Sequence, residues 1–489
     1  MHALVAFIAG FFFLTPSPLV QQTQQLRTKS IVFPCKASSV ALPELTGGDK
    51  NTTTTTNYFP CTHALPLPRW DKVHHTIDKA YYVAHKAPVS TYLIIISPAI
   101  ASFVLVQGWK GEESLQQLTN AVQTVLQKNP VLTGRATCPH NWWKHPEINI
   151  LPGWFPPDKH PFVETIDLRY KLRHRTSLDN LSTQEQLKYI DKHVAPHVGR
   201  HDTTLQQIHK QSPLFGVKVV LLPNDYACVY TRMSHCIGDL VTYYMVMDQI
   251  SSADRGGELR PIHWDNPRKA VHEIFPEELS KRDIQRLYGI PFILGVGTHV
   301  PTMWLRKQKY LLLDDTKIKE QKAYYKQVKK LDGITTNDII TSALCDACRS
   351  TDVFAMTRSM RGVAPGIGLR DGGNLHCEVP FHRVAGRNPI VVQDIVDKGR
   401  YFELGEVPLF ESLMGKVGRI SNCVAPISRM SFGGLKPVLY CPSKAFLDDT
   451  PLDTAIIFRT KNGETAVLHN FQKMVPSKQL EAILLAEKK

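Results

Sequence analysis

Residues 214–250, "LFGVKVVLLPNDYACVYTRMSHCIGDLVTYYMVMDQI", constrain the fold more than any other stretch of the chain. "LFGVKVVLL" reads as a strand, Pro223–Asp225 as a turn, and "YACVYTRMSH" as a second strand. The apolar period then changes, with Leu240, Tyr244 and Met247 on one face of a helix. A hairpin that runs straight into a helix requires a mixed architecture. His235 sits where the second strand ends, and Asp239 opens the helix. Only Cys236, Ile237 and Gly238 lie between them, so the Asp can fold back towards its own strand, to orient the imidazole or to lock the loop by pairing with a cation. Gly238 is expected to supply the flexibility of that reversal. Spacing alone would not single out this pair. A chain with 20 His is expected to contain about one chance H-x-x-x-D. A second match, His74 to Asp78, does occur. It precedes the first strong apolar segment, shows no strand-to-loop transition and reads as polar surface.

The remaining segments extend the mixed pattern. "SLQQLTNAVQTVLQKNP" predicts a helix, with Ser114 and Gln117 at capping-box spacing, Leu115, Leu118, Val122 and Val125 on one face, and a stop at Asn129-Pro130. Ala87–Trp109 holds 23 residues without a charge. Its length would permit a membrane span, but Pro98 and the β-branched residues around it favour a pair of buried strands. Residues 251–286 read as a crossover into a second half. There "KIKEQKAYYKQVKK" and "NDIITSALCDACRS" are helical, the latter capped by Thr336, and "AIIFRT" and "TAVLHNF" flank a turn at Lys461–Glu464. No regular βα repeat occurs, so the fold class is α+β in two lobes. The expected division is a targeting segment and linker at 1–57, one lobe at 58–265 and a second at 266–489.

Composition narrows the partners. The formal net charge of +14 admits nucleic acid, an anionic membrane surface or a phosphorylated small molecule. No nucleic-acid-binding signature accompanies the charge, which is diffuse and reads mostly as solvated face. The 10 Cys form no disulfide framework, and the C-x-x-C at Cys345–Cys348 has no second pair, so no metal is expected. "ALVAFIAGFFFL" has the length of a signal-peptide core, and the following stretch carries Arg27, Lys29 and Lys36 with no acid up to Ser39. That two-part pattern points to a plastid reached through the endomembrane system, with the endoplasmic reticulum or secretory pathway as the alternative. "NTTTTTN" is a low-complexity linker.

Several segments, taken in order, resemble one family. The HxxxD segment is joined by "LQQLTNAVQTVLQKNPVLTGR", "ITTNDIITSALCDA", "MRGVAPGIGLRDGGN" and "SRMSFGGLKPV". Together they are similar to the acyl-CoA-dependent BAHD acyltransferases, whose relatives include chloramphenicol acetyltransferase and peptide-synthetase condensation domains. The match runs from about Pro66 to Phe471. Two departures mark a divergent member: Leu240 stands where the family usually has Gly, and the last motif keeps Phe432-Gly433 and Lys436-Pro437 but lacks its leading Asp and its Trp.

The resemblance implies two chloramphenicol-acetyltransferase-like lobes with a tunnel between them. His235 would be the general base and Asp239 a structural brace partnered by Arg361. Ser428, Ser431 and Asn374 would be candidate oxyanion contacts. Acyl-CoA would be a co-substrate, with no resident cofactor, no acyl-enzyme and a monomeric chain. The apolar stretches suggest a hydrophobic alcohol as acceptor (a xanthophyll, sterol or long-chain alcohol) and peripheral membrane contact. Two alternatives remain open: a catalytically silent lipid- or pigment-binding member, and a condensation-type transferase using an acyl carrier protein.

Overall fold

The computed structural model describes most of the chain from Ala99 to Leu485, together with His74–Thr76; the main stretches left out within that span are 138–146, 152–161, 200–206, 265–305 apart from Gly295, 399–408 and 424–428. The targeting segment and linker expected at 1–57, and Asp78, lie outside the described residues.

Fourteen strands are described. In the first half of the chain they are β1 (His74–Thr76), β2 (Ile100–Gln107), β3 (Arg135–Thr137), β4 (Glu147–Leu151), β5 (Val163–Asp167), β6 (Phe215–Leu222) and β7 (Tyr226–Met233). Then come β8 (Lys309–Leu312), β9 (Val353–Ser359), β10 (His376–His382), β11 (Val417–Asn422), β12 (Pro437–Pro442), β13 (Asp453–Arg459) and β14 (Thr465–His469). They form a five-stranded sheet in the order β12-β2-β7-β6-β5, a six-stranded sheet in the order β10-β9-β11-β13-β14-β8, and a small sheet β1-β4-β3. Both large sheets mix parallel and antiparallel pairs. His74, of the second H-x-x-x-D match, begins a short strand and pairs with Asn149.

The hairpin β6–β7 follows from its residues. Val217, Val219 and Val220 are fully or almost fully buried, and the turn places Asn224 at φ 58° and Asp225 at φ 56°. Two consecutive positive φ values define the type I′ turn, whose twist matches that of the strands it joins; Asn and Asp tolerate it best after Gly. The uncharged stretch before Trp109 contributes one described strand, β2, which lies between β7 and β12 and is buried along seven of its eight residues; 87–98 lies outside the described residues. Among the described residues no helix is long and apolar enough to cross a membrane.

The predicted helices form, with different caps. Glu112–Lys128 starts at Gly111 without a side-chain cap. Ser114 lies inside it, its Oγ accepting from the Lys110 amide at 3.3 Å, and Gln117 donates instead to the Asp254 carbonyl at 2.7 Å. Tertiary partners have taken both polar groups of the expected capping box. Thr336–Ala347 is capped one residue earlier than expected, by Thr335 in a capping box with Asp338. Cys345 and Cys348 are both buried there.

The half expected at 266–489 lends one strand to the half expected at 58–265, because β12 pairs antiparallel with β2 and so completes the first sheet. The sheets share one more feature. Alternate residues of β13 face two different apolar clusters: Ile456 and Phe458 join the cluster around the first sheet, Ala455 and Ile457 the cluster beneath the second. This period of two puts the second sheet between two cores.

Candidate active site

His235 lies in the turn after β7, and Asp239 is the N-cap of the helix Leu240–Asp254, its Oδ1 accepting from the Thr242 amide at 2.9 Å. Gly238 does not take a positive φ. Its need is space: a Cβ there would stand 2.6 Å from Thr242 Cγ2 and 2.7 Å from Thr242 Cβ. The expected flexibility is thus replaced by close packing. The Thr242 side chain, fully buried, occupies the room the missing Cβ leaves.

Asp239 is held from the second half of the chain. Arg361 Nη1 donates to Oδ2 at 2.8 Å and Nη2 to Oδ1 at 3.0 Å, a bidentate pair with both side chains almost fully buried. The Leu375 amide donates to Oδ2 at 3.0 Å. Arg361 also donates to the carbonyls of Asp371 (2.8 Å) and Gly373 (2.9 Å) and to Thr242 Oγ1 (2.8 Å). Burial works against the charge on Asp239, but contact with His376 and with the Arg361 guanidinium outweighs it and holds the carboxyl well below the usual carboxylate range. His376 Nδ1 stands 3.7 Å from Oδ2, beyond a good hydrogen bond, so the two short Arg361 bonds carry most of the pairing.

Asn374 donates through Nδ2 to the His235 carbonyl at 2.8 Å. It therefore braces the backbone of the histidine turn. The His235 ring meets the His376 ring edge-on, with centroids 6.2 Å apart. Burial and the nearby His376 push the His235 imidazole down to about 4, with Asp239 and Asn374 opposing. At neutral pH the ring is an uncharged base. Its buried Nδ1 has no hydrogen-bond partner of good geometry.

Ser431 does not join this group. Its Oγ donates to Asp254 at 2.5 Å, at the far end of the helix that Asp239 caps. Asp254 is the fifteenth residue of the helix that Asp239 caps, about 22 Å away at 1.5 Å per residue. Asp254 also accepts from the amides of Gly433 (2.8 Å) and Gly434 (2.9 Å). The carboxylate missing from "SFGGLKP" is thus supplied by the helix terminus, and Ser431 braces a turn. Gly433 is obligatory there, with φ 62° and a Cβ position 2.7 Å from the Trp109 ring. Ser428 lies outside the described residues. Among the described residues no His, Cys, Asp or Glu cluster could hold a metal ion.

Sequence reasoning missed two members of the site, His376 and Thr242. Thr242 could have been found: it lies three residues after Asp239, where an N-cap carboxylate bonds the backbone. His376 could not, because β10 register rather than spacing brings it in.

No family model and no curated protein matches the chain. Solved structures do. The chain is similar to F. sporotrichioides TRI101, solved with coenzyme A and T-2, at 12% identity and a TM-score of 0.52, covering 82% of this chain and 98% of that one. It is also similar to the first condensation domain of the calcium-dependent antibiotic synthetase, at 12% identity and a TM-score of 0.51, covering 83% of this chain and 93% of that one. At this identity the likeness establishes the fold: the two-lobed, chloramphenicol-acetyltransferase-like α+β architecture.

Proposed function

We propose that the protein is an acyltransferase that moves an acyl group from acyl-CoA to a hydroxyl. The carrying observation is His235, an uncharged, largely enclosed imidazole in a turn braced by Asn374, beside an Asp239 committed to Arg361. A carboxylate already holding a guanidinium bidentately is a brace and not a proton relay. In the reaction His235 takes the proton of the acceptor hydroxyl as its oxygen attacks the thioester carbonyl. The tetrahedral intermediate collapses, the C–S bond breaks, and the proton passes from His235 to the leaving thiolate. Both substrates are bound together, so no acyl-enzyme forms. The net charge of +14 suits a donor bearing phosphates.

The solved neighbours include both a protein crystallised with coenzyme A and a condensation domain. The fold alone does not choose the donor, so the test compares two. Free-thiol release is followed with acetyl-CoA and with an acetylated carrier protein, for wild type and His235→Ala. Acetyl-CoA turnover that falls about 10²–10⁴-fold in the variant, with an unchanged far-UV spectrum, supports the proposal. Retention of most of the activity refutes the role of His235, and turnover of the carrier donor alone refutes the choice of donor.

The expectation of a hydrophobic acceptor rests on the targeting segment and the uncharged stretch before Trp109, of which 87–98 lies outside the described residues. In its described part the uncharged stretch before Trp109 is a core strand, with Val104, Leu105 and Val106 fully buried.

A further inference from the structure

The second sheet changes character across one of its faces. At the β13–β14–β8 end that face is apolar: Ile456, Phe458, Leu468 and Tyr310 enter the core around the first sheet. Register carries the same face across to β11, β9 and β10. Ser421 lies beside Ile456 and beside Thr357, Thr357 is opposite Glu378, and Ser359 is opposite His376. Two contacts confirm a shared face: Thr357 Oγ1 and Ser421 Oγ are 2.9 Å apart, and Arg419 Nε is 2.8 Å from Glu378 Oε1. The intervening residues, Met356, Val379, Phe381 and Ile420, point the other way into the second core.

A polar sheet face is ordinary where it meets open water. This one is only partly open: the Glu378 side chain is 5% exposed, that of His376 10% and that of Arg419 26%, and Thr357, Ser359 and Ser421 are half-buried. A buried ion pair adds little or nothing to stability compared with apolar residues of the same size, because desolvation offsets the attraction. The face stays polar where it reaches the reactive imidazole, through the edge-on contact of His376 with His235.

We propose that this face, formed by Thr357, Ser359, His376, Glu378, Arg419 and Ser421, is the acceptor subsite, and that the acceptor is a small polyhydroxylated molecule. The proposal rests on the acyl-transfer reading and names its second substrate. An apolar alcohol lying here would strip water from these groups and return no hydrogen bonds. A polyol returns them. Strand geometry sets the scale: His376 and Glu378 are two residues apart, about 7 Å. A polyol presenting one hydroxyl to His235 therefore places others, about one six-membered ring away, against the Glu378–Arg419 pair.

The test separates binding from turnover. Saturation-transfer NMR on the full chain is run with glycerol, myo-inositol, glucose and 1-octanol, for wild type, Glu378→Gln and Ser421→Ala. Thiol release from acetyl-CoA is measured with the same four compounds. Expected is binding of at least one polyol, weakened about tenfold by Glu378→Gln, the loss of one charge-assisted hydrogen bond, and polyol-stimulated thiol release exceeding that with octanol. Ser421→Ala, which removes a single oxygen, keeps the test decisive if Glu378→Gln fails to fold. The proposal is overturned if no polyol binds, if the variants bind polyols as wild type does, or if octanol alone stimulates thiol release. Variant-sensitive polyol binding without thiol release upholds the polar subsite and overturns the acyl-transfer reading instead.

Discussion

Removing Arg361 tests how the two halves of the site are joined. Arg361→Ala deletes both hydrogen bonds to Asp239 and those to Thr242, Asp371 and Gly373. Asp239 keeps the amides of Thr242 and Leu375 but loses its countercharge while remaining buried. Breaking a buried pair from one side costs about 3–5 kcal/mol, against a total stability of about 5–15 kcal/mol. Arg361→Lys keeps the charge and loses the fork, so its cost should be smaller, about 1–3 kcal/mol. Urea unfolding followed by tryptophan fluorescence measures both. The pH dependence gives a second readout with a definite sign. In wild type the Asp239 carboxyl is depressed, so its contribution is fully present above the unfolded value, about 3.9, and is lost as pH falls below it. In Arg361→Ala the guanidinium's share of that depression is gone, while His376 and the amides of Thr242 and Leu375 still oppose burial, so the carboxyl rises towards the unfolded value. The variant should then lose less stability than wild type as pH falls below about 4. An Arg361→Ala protein within about 0.5 kcal/mol of wild type at pH 7, the range of an ordinary surface substitution, would refute the brace, as would parallel pH profiles.

Three further outcomes follow from single contacts. With His235 pushed down to about 4 and required uncharged, kcat/KM should stay flat from neutral pH to about 5 and fall only as pH drops through about 4; in His376→Gln that limb should move up towards 6.5, and a wild-type limb already near 6.5 would refute the enclosure of the ring. Gly238→Ala forces a Cβ against Thr242 and should cost about 1–3 kcal/mol, partly recovered by adding Thr242→Ser, which removes the obstructing methyl; equal stabilities of the two variants in urea would refute the packing account. Ser431→Ala should lower stability by about 1–2 kcal/mol through the orphaned Asp254 contact while leaving kcat nearly unchanged; a loss of kcat of a hundredfold or more, the size of a lost oxyanion donor, would refute its placement.

Local sequence carried much of the architecture. The hairpin is legible because valines alternate around a turn built from Asn and Asp. The His235–Asp239 loop is legible because its meaning lies in five consecutive positions. Caps were less legible: Ser114 and Gln117 have the right spacing for a capping box, but tertiary partners, the Lys110 amide and the Asp254 carbonyl, compete for the same polar atoms. The opposite side of the site was legible only by resemblance. Arg361 and Asn374 reach the histidine loop from 122 and 139 residues away, and no periodicity encodes such a meeting.

The two departures in the motifs look like losses when the segments are compared one at a time, and the fold gives each a physical account. The turn of the last motif, which has no acid of its own, is held by Asp254, a carboxylate on the helix that begins at Leu240, accepting from Ser431, Gly433 and Gly434. The site and this turn are opposite ends of one helix: Asp239 ties its start to Arg361, and Asp254 ties its end to the turn before β12, the strand that joins the first sheet. Leu240, in place of glycine, is that helix's first residue and packs partly buried against the first core. An apolar anchor at the start and a carboxylate at the end both fix the helix in place. Both residues thus stabilise the helix that joins the histidine loop to the turn before β12.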